Sequence, residues 1–170
     1  MILVTPLSAI DTAIARHRPS HMVTLLSPEH MIDTPDGIAP ERHLKLAVND
    51  VAETWAAEMP PSPDHVARLL EFAKGWNAAS PILVHCWAGI SRSTAAAYIL
   101  LCERAGAGSE RALAQMLRAR APHAFPNPLL VGFGDAALGR EGRMVQAVRE
   151  IGRGAIVAEG EIVALPLAPS

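Results

Sequence analysis

Short runs dense in apolar and β-branched residues alternate along this chain with longer stretches in which apolar residues recur every three or four positions. The first run, ILVTPL near the N-terminus, predicts a strand. From about Ser8 to Ala15 the spacing becomes that of a helix, which Pro19 prevents from continuing. HMVTLL (21–26) predicts a second strand. The proline-, aspartate- and glycine-rich stretch SPEHMIDTPDGIAPE reads as a loop, and HLKLAV (43–48) returns to strand, with Leu44, Leu46 and Val48 alternating. Residues 49–61, NDVAETWAAEMPP, keep neither rhythm and read as a loop with a helical turn.

A helix opens at Ser62, with Pro63 in first position and Asp64 in the first turn, and Val66, Leu69, Leu70, Ala73 and Trp76 share one face. PILVHC (81–86) is a short continuous apolar strand of the kind buried on both faces. RSTAAAYILLCERAGAG is a helix stopped by Gly106 or Gly108, and Ser109 starts another, ERALAQMLRAR, which Pro122 ends. Two further helical stretches lie near 128–138 and 141–153. The tail AIVAEGEIVALPL reads as two strands around Glu159-Gly160, a short C-terminal hairpin at 155–167. Strands alternating with helices predict an α/β fold: one three-layer domain over residues 1–170, with a central, mostly parallel sheet flanked by helices.

Composition narrows the classes of function. Half of the 170 residues are hydrophobic, 19% are charged and the net charge is −2, so no bulk attraction to nucleic acid or to an anionic membrane is expected. No basic leader precedes the first apolar run, and the longest such run, AAAYILLC, is too short to span a bilayer, so a cytoplasmic location is the expectation. Two cysteines make no disulfide framework, and neither lies in a CxxC pair. The seven histidines show no HExxH, so neither a metal nor another cofactor is expected. Nothing in the pattern sets an oligomeric state.

Against this background HCWAGISRST (85–94) stands out, because it puts Cys86 at the seam between an apolar strand and an apolar helix. A helix N-terminus presents unpaired N–H groups and a partial positive charge, which favours an anion in the loop before it. Gly89 lets the backbone curl so that successive N–H groups point inward, and Arg92 supplies a planar fork for two phosphate oxygens. The same field favours the thiolate of a cysteine placed in it. A nucleophilic sulfur beneath a cradle for a tetrahedral dianion predicts attack on phosphorus through a cysteinyl-phosphate.

HCxxGxxRS, as His85, Cys86, Gly89, Arg92 and Ser93, resembles the signature loop of the cysteine-dependent protein tyrosine phosphatases, most of all their small dual-specificity branch. LKLAVND resembles the segment that carries that family's general-acid aspartate, and PHAFPNPLL (122–130) its Pro-Asn element behind the loop. The resemblance covers roughly residues 40 to 138. It implies Cys86 as nucleophile, Arg92 as ligand of the phosphate and transition state, and Ser93 as hydrogen-bond partner of the thiolate. His85 would hold the cysteine from behind, and Asp50 would act as general acid and then base. Trp87, Ala88, Gly89, Ile90 and Ser91 would wrap the phosphate, and Asn127 would brace the loop.

Plainer roles compete with several of these. Cys86 and His85 can be strand-end core residues, Asp50 a turn former, Asn127 a turn residue between prolines, and Trp87 either core or pocket rim. Glu53 competes with Asp50 for the acid, with Asp33 and Asp36 farther along the chain. Cys102, among YILLC, is expected to pack rather than act as a redox partner of Cys86. The expected activity is phosphomonoester hydrolysis on a phosphorylated protein or a small phosphomonoester, with phosphotyrosine first and phosphoserine or phosphothreonine beside it.

A phosphoinositide phosphatase on the same loop is the alternative, disfavoured by the absence of lysine between Cys86 and Arg92. An RNA triphosphatase lacks its basic stripe here. Low-molecular-weight phosphatases and arsenate reductases carry their cysteine near the N-terminus. A rhodanese-like sulfurtransferase or a non-catalytic phosphate reader stands outside the class.

Overall fold

The period-two pattern of the strands becomes two unequal cores, one on each face of a single sheet. In the computed structural model, which describes residues 1–168, β1 (Ile2–Pro6), β2 (His21–Leu26), β3 (His43–Ala47) and β4 (Ile82–Cys86) are parallel, and β5 (Val163–Leu165) runs antiparallel to β1. The strand order β3-β2-β4-β1-β5 inserts β4 between the two strands that open the chain. Ile2, Val4, Val23, Leu25, Ile82 and Val84 face the larger core, while their neighbours Leu3, Met22 and Leu83 face the smaller one.

The helices divide unevenly between these faces. Only α1 (Ile10–His17), with Ile38 from the following loop, covers the smaller core. The larger core is built with α2 (Pro63–Lys74), α3 (Arg92–Ala105), α4 (Glu110–Arg120), α5 (Pro128–Ala137) and α6 (Arg143–Glu150). Every residue of α3 from Arg92 to Cys102 is buried, as expected of a helix apolar on all sides. Ser62 starts α2 as expected, and its partner in the capping box is His65 rather than Glu or Gln. The Ser62 N–H donates to His65 Nδ1 at 3.1 Å, so Nε2 carries the hydrogen and donates to the Ala47 carbonyl at 2.9 Å, tying α2 to β3.

Residues 49–61 form a loop with a single turn, in which the Ala56 N–H bonds the Glu53 carbonyl, and Asn49 closes the base through its N–H to the Met59 carbonyl at 2.7 Å. One expectation is revised. The C-terminal hairpin at 155–167 does not form. Val163–Leu165 alone is a strand, and it ladders onto the open edge of β1, which offers a row of unpaired backbone groups that a two-stranded hairpin would leave exposed. The Glu159-Gly160 turn instead lies on the 87–91 loop: the Gly160 N–H donates to the Ala88 carbonyl at 2.8 Å, and Ser8 Oγ donates to the Glu159 carboxylate at 2.6 Å. No helix among the described residues is long and apolar enough to cross a membrane.

Candidate active site

The loop 87–91 leaves the carboxyl end of the central strand β4 and enters α3 at Arg92, the edge of a parallel sheet where ligands settle. Its carbonyls are engaged from outside. The Trp87 carbonyl accepts from Leu7 N at 3.0 Å, Ala88 from Gly160 N at 2.8 Å, Ile90 from Phe125 N at 2.9 Å and Ser91 from Asn127 N at 3.3 Å. In a planar trans peptide the carbonyl and the following N–H point in opposite directions. Carbonyls turned outward therefore leave the N–H groups of Ala88, Gly89, Ser91 and Arg92 turned toward the space above Cys86. Gly89 has φ +70°, and an added Cβ would lie 2.7 Å from Pro6 N, so both backbone conformation and close approach to β1 require glycine.

Cys86 lies at the floor, with Sγ 3.1 Å from Ser93 Oγ in the first turn of α3. The Arg92 side chain is buried; Nη1 donates to the Val48 carbonyl at 2.7 Å, and Nε is enclosed without a hydrogen-bond partner. A buried guanidinium N–H left unpaired beside inward-facing amides is the donor that an oxyanion would satisfy. Asp50 reaches the loop from the other side. Its Oδ1 accepts from Ser91 Oγ at 2.7 Å and from Asn127 Nδ2 at 2.9 Å, and Oδ2 stands 3.9 Å from Arg92 Nε.

Asn127 spends its whole side chain here. Oδ1 accepts from the N–H groups of Leu129 and Leu130 as the cap of α5, and Nδ2 also donates to the Val51 carbonyl at 3.0 Å. Trp87 is half-exposed at the rim, its ring 4.9 Å from that of His30 in an edge contact. Glu53 is exposed on the loop that carries Asp50, and among the described residues it has no bond to the cradle. Cys102 is fully buried in α3, where burial pushes its thiol up to about 12.

Behind the cysteine the fold assembles a polar row that ordinary strand residues do not announce. His85 Nε2 lies 2.7 Å from Thr24 Oγ1, which lies 2.7 Å from His43 Nε2, and His43 Nδ1 lies 2.9 Å from Thr34 Oγ1. Burial holds both imidazoles neutral by lowering each to about 4; the Cys86 backbone opposes this at His85, while His43 and Arg92 reinforce it. A neutral imidazole donates from one nitrogen only, and a hydroxyl has one hydrogen. With the hydrogen of His85 on Nδ1, enclosed and toward the Cys86 backbone, Thr24 donates to His85, His43 donates to Thr24 and Thr34 donates to His43. One choice of proton orients the whole row.

An enclosed thiol under inward-turned amides, at the start of a buried helix, is the arrangement that a cysteine-dependent phosphatase requires, and the comparisons with known proteins point the same way. Residues 42–121 match the protein-tyrosine phosphatase family model. The crystal structure of DUSP15 is similar over 88% of this chain and 89% of its own, with 22% identity and a TM-score of 0.63. That of PTPMT1 in complex with PI(5)P is similar over 89% of this chain and 92% of its own, with 16% identity and a TM-score of 0.57. At these identities the likeness speaks for the fold. No curated protein sequence matches the chain.

Proposed function

We propose that the protein hydrolyses phosphate monoesters of phosphorylated proteins, phosphotyrosine foremost, through a cysteinyl-phosphate. The phosphate oxygens occupy the inward N–H groups and the free Nε of Arg92, the single observation that best supports this function. The Cys86 sulfur attacks phosphorus as the P–O ester bond breaks, and Asp50 gives its proton to the leaving oxygen. Water then attacks phosphorus, its proton passing to Asp50, and the S–P bond breaks; Ser93 Oγ donates to the departing thiolate. His85 orients the strand end from behind, Asn127 holds the Asp50 segment against the loop, and residues 87–91 wrap the phosphate.

Charge supports a polypeptide over a multiply phosphorylated headgroup. The loop has no lysine between Cys86 and Arg92, and residues 49–61 carry Asp50, Glu53 and Glu58 with no Lys or Arg. A reducing cytoplasmic setting fits a mechanism that needs Cys86 as a free thiol. Incubation with p-nitrophenyl phosphate tests the reaction. Hydrolysis that vanadate inhibits, and that Cys86→Ser abolishes, is expected. Silence with p-nitrophenyl phosphate together with sulfur transfer from thiosulfate to cyanide overturns it in favour of a sulfurtransferase, and tight phosphopeptide binding without turnover in favour of a reader.

A further inference from the structure

Of the seven large apolar side chains exposed among the described residues, six lie on segments attached to the cradle: Trp55, Met59, Trp87, Phe125, Ile156 and Val157. The seventh is Met1. Trp87 belongs to the loop itself. Met59 closes the base of the Asp50 segment against Asn49, and Trp55, 83% exposed, lies between that base and Asp50. The Phe125 N–H holds the Ile90 carbonyl. Ile156, 95% exposed, and Val157 lie between Ala155, bonded to Pro122, and Gly160, bonded to Ala88. Ile90, Phe125, Ile156 and Val157 line a groove of about 220 Å³, with the Arg153 guanidinium 5.4 Å from the Phe125 ring. Exposed apolar residues scattered singly need no explanation, but gathered around one site they mark a surface that something apolar covers.

We propose that this rim docks the polypeptide on both sides of the phosphorylated residue, so that the preferred substrates are proteins with apolar residues flanking the phosphate. This deepens the protein-phosphatase function and rests on it. Charge selects the occupant. A second groove of about 480 Å³ is lined by Glu29 and Glu58 together with Pro28, Asn49 and Ala57, and the exposed Glu53 belongs to the same 49–59 segment. These carboxylates repel an anionic bilayer, which attracts basic surfaces, and complement a basic residue of a peptide.

The test compares kcat/KM of the full chain on two synthetic phosphotyrosine peptides, each with one lysine, flanked by leucine and isoleucine in one and by serine in the other. A preference of about tenfold for the apolar peptide is expected, and Trp55→Ser with Ile156→Ser is expected to lower the ratio of peptide to p-nitrophenyl phosphate turnover about fivefold or more. Both side chains are solvent-exposed, so a thermal melt checks that the variants fold. Equal turnover of the two peptides, or a ratio that survives the substitutions, overturns the docking surface while leaving the protein phosphatase standing. Hydrolysis of p-nitrophenyl phosphate and of phosphoinositides in phosphatidylserine vesicles, with neither peptide cleaved, overturns the protein-phosphatase function together with the docking surface.

Discussion

Residues 86–93 and residues 49–59 meet across Arg92, and they are held there in different ways. The first segment is short and contiguous. Its carbonyls are bonded by Leu7, Phe125, Asn127 and Gly160, and a glycine with no room for Cβ faces Pro6. The second is closed on itself by Asn49 and Met59 and touches the cradle through one carboxylate, which Ser91 and Asn127 hold. The Arg92 side chain is 6% exposed, that of Asp50 38%. The contrast teaches a division of labour. In the proposed mechanism, donors that must meet a tetrahedral anion in fixed positions are braced by backbone from three separate segments, at Leu7, at Phe125 and Asn127, and at Gly160. In the same mechanism, the carboxyl group proposed to exchange a proton with solvent between two chemical steps is left reachable.

If bracing is what the cradle depends on, its largest failure comes from displacing the loop. Gly89→Ala is expected to lower kcat/KM on p-nitrophenyl phosphate on the order of 1,000-fold, because a Cβ forces the inward amides off position. A variant within tenfold of the parent breaks the account of a rigid cradle. Next, Asp50→Asn is expected to cost about 100-fold with phenyl phosphate and much less with a good leaving group. An unchanged alkaline limb of its pH–rate profile transfers the role elsewhere on the segment, with Glu53 first.

Smaller effects sharpen the link between the two segments. Asn127→Ala removes the cap of α5 and the tether to Asp50 and Val51 together, so a loss of about 1 kcal/mol in stability is expected alongside a roughly tenfold fall in kcat. A stability loss with kcat unchanged separates the cap from the tether. The smallest effect on turnover concerns the row behind Cys86, which is read in stability instead. His43 and His85 are neutral in the fold down to about 4, whereas the unfolded chain takes up their protons near 6.5. Stability is therefore full above that range and is lost as pH falls from 6.5 toward 4. Urea midpoints across this window measure it, and His43→Gln is expected to flatten the slope.

Much of this was legible before folding was considered. The strand and helix spans followed from apolar period and from Pro19, Ser62, Ser109 and Pro122, because those signals act within a turn or two of the backbone. The loop was legible because strand end, cysteine, glycine, arginine and helix start are neighbours in sequence. Other partners were not. Thr24 lies 61 residues from His85, and nothing in HMVTLL or HLKLAV distinguishes a hydroxyl or imidazole in a polar row from one on any strand. Gly160 looked like a hairpin turn because a local rule has no view of the β1 edge, where β5 gains a full ladder partner.

The sequence by itself determined the alternation of elements, the α/β class and the contents of the cradle, since each depends on contacts within a few residues. Only the tertiary structure decided which carboxylate stands at Arg92, how the two histidines share their protons, and that the C-terminal segment serves as a wall of the site. Those outcomes depend on groups brought together from distant parts of the chain, Asn127 and Asp50 being 77 residues apart, and distance along the sequence carries no record of which pairs will meet.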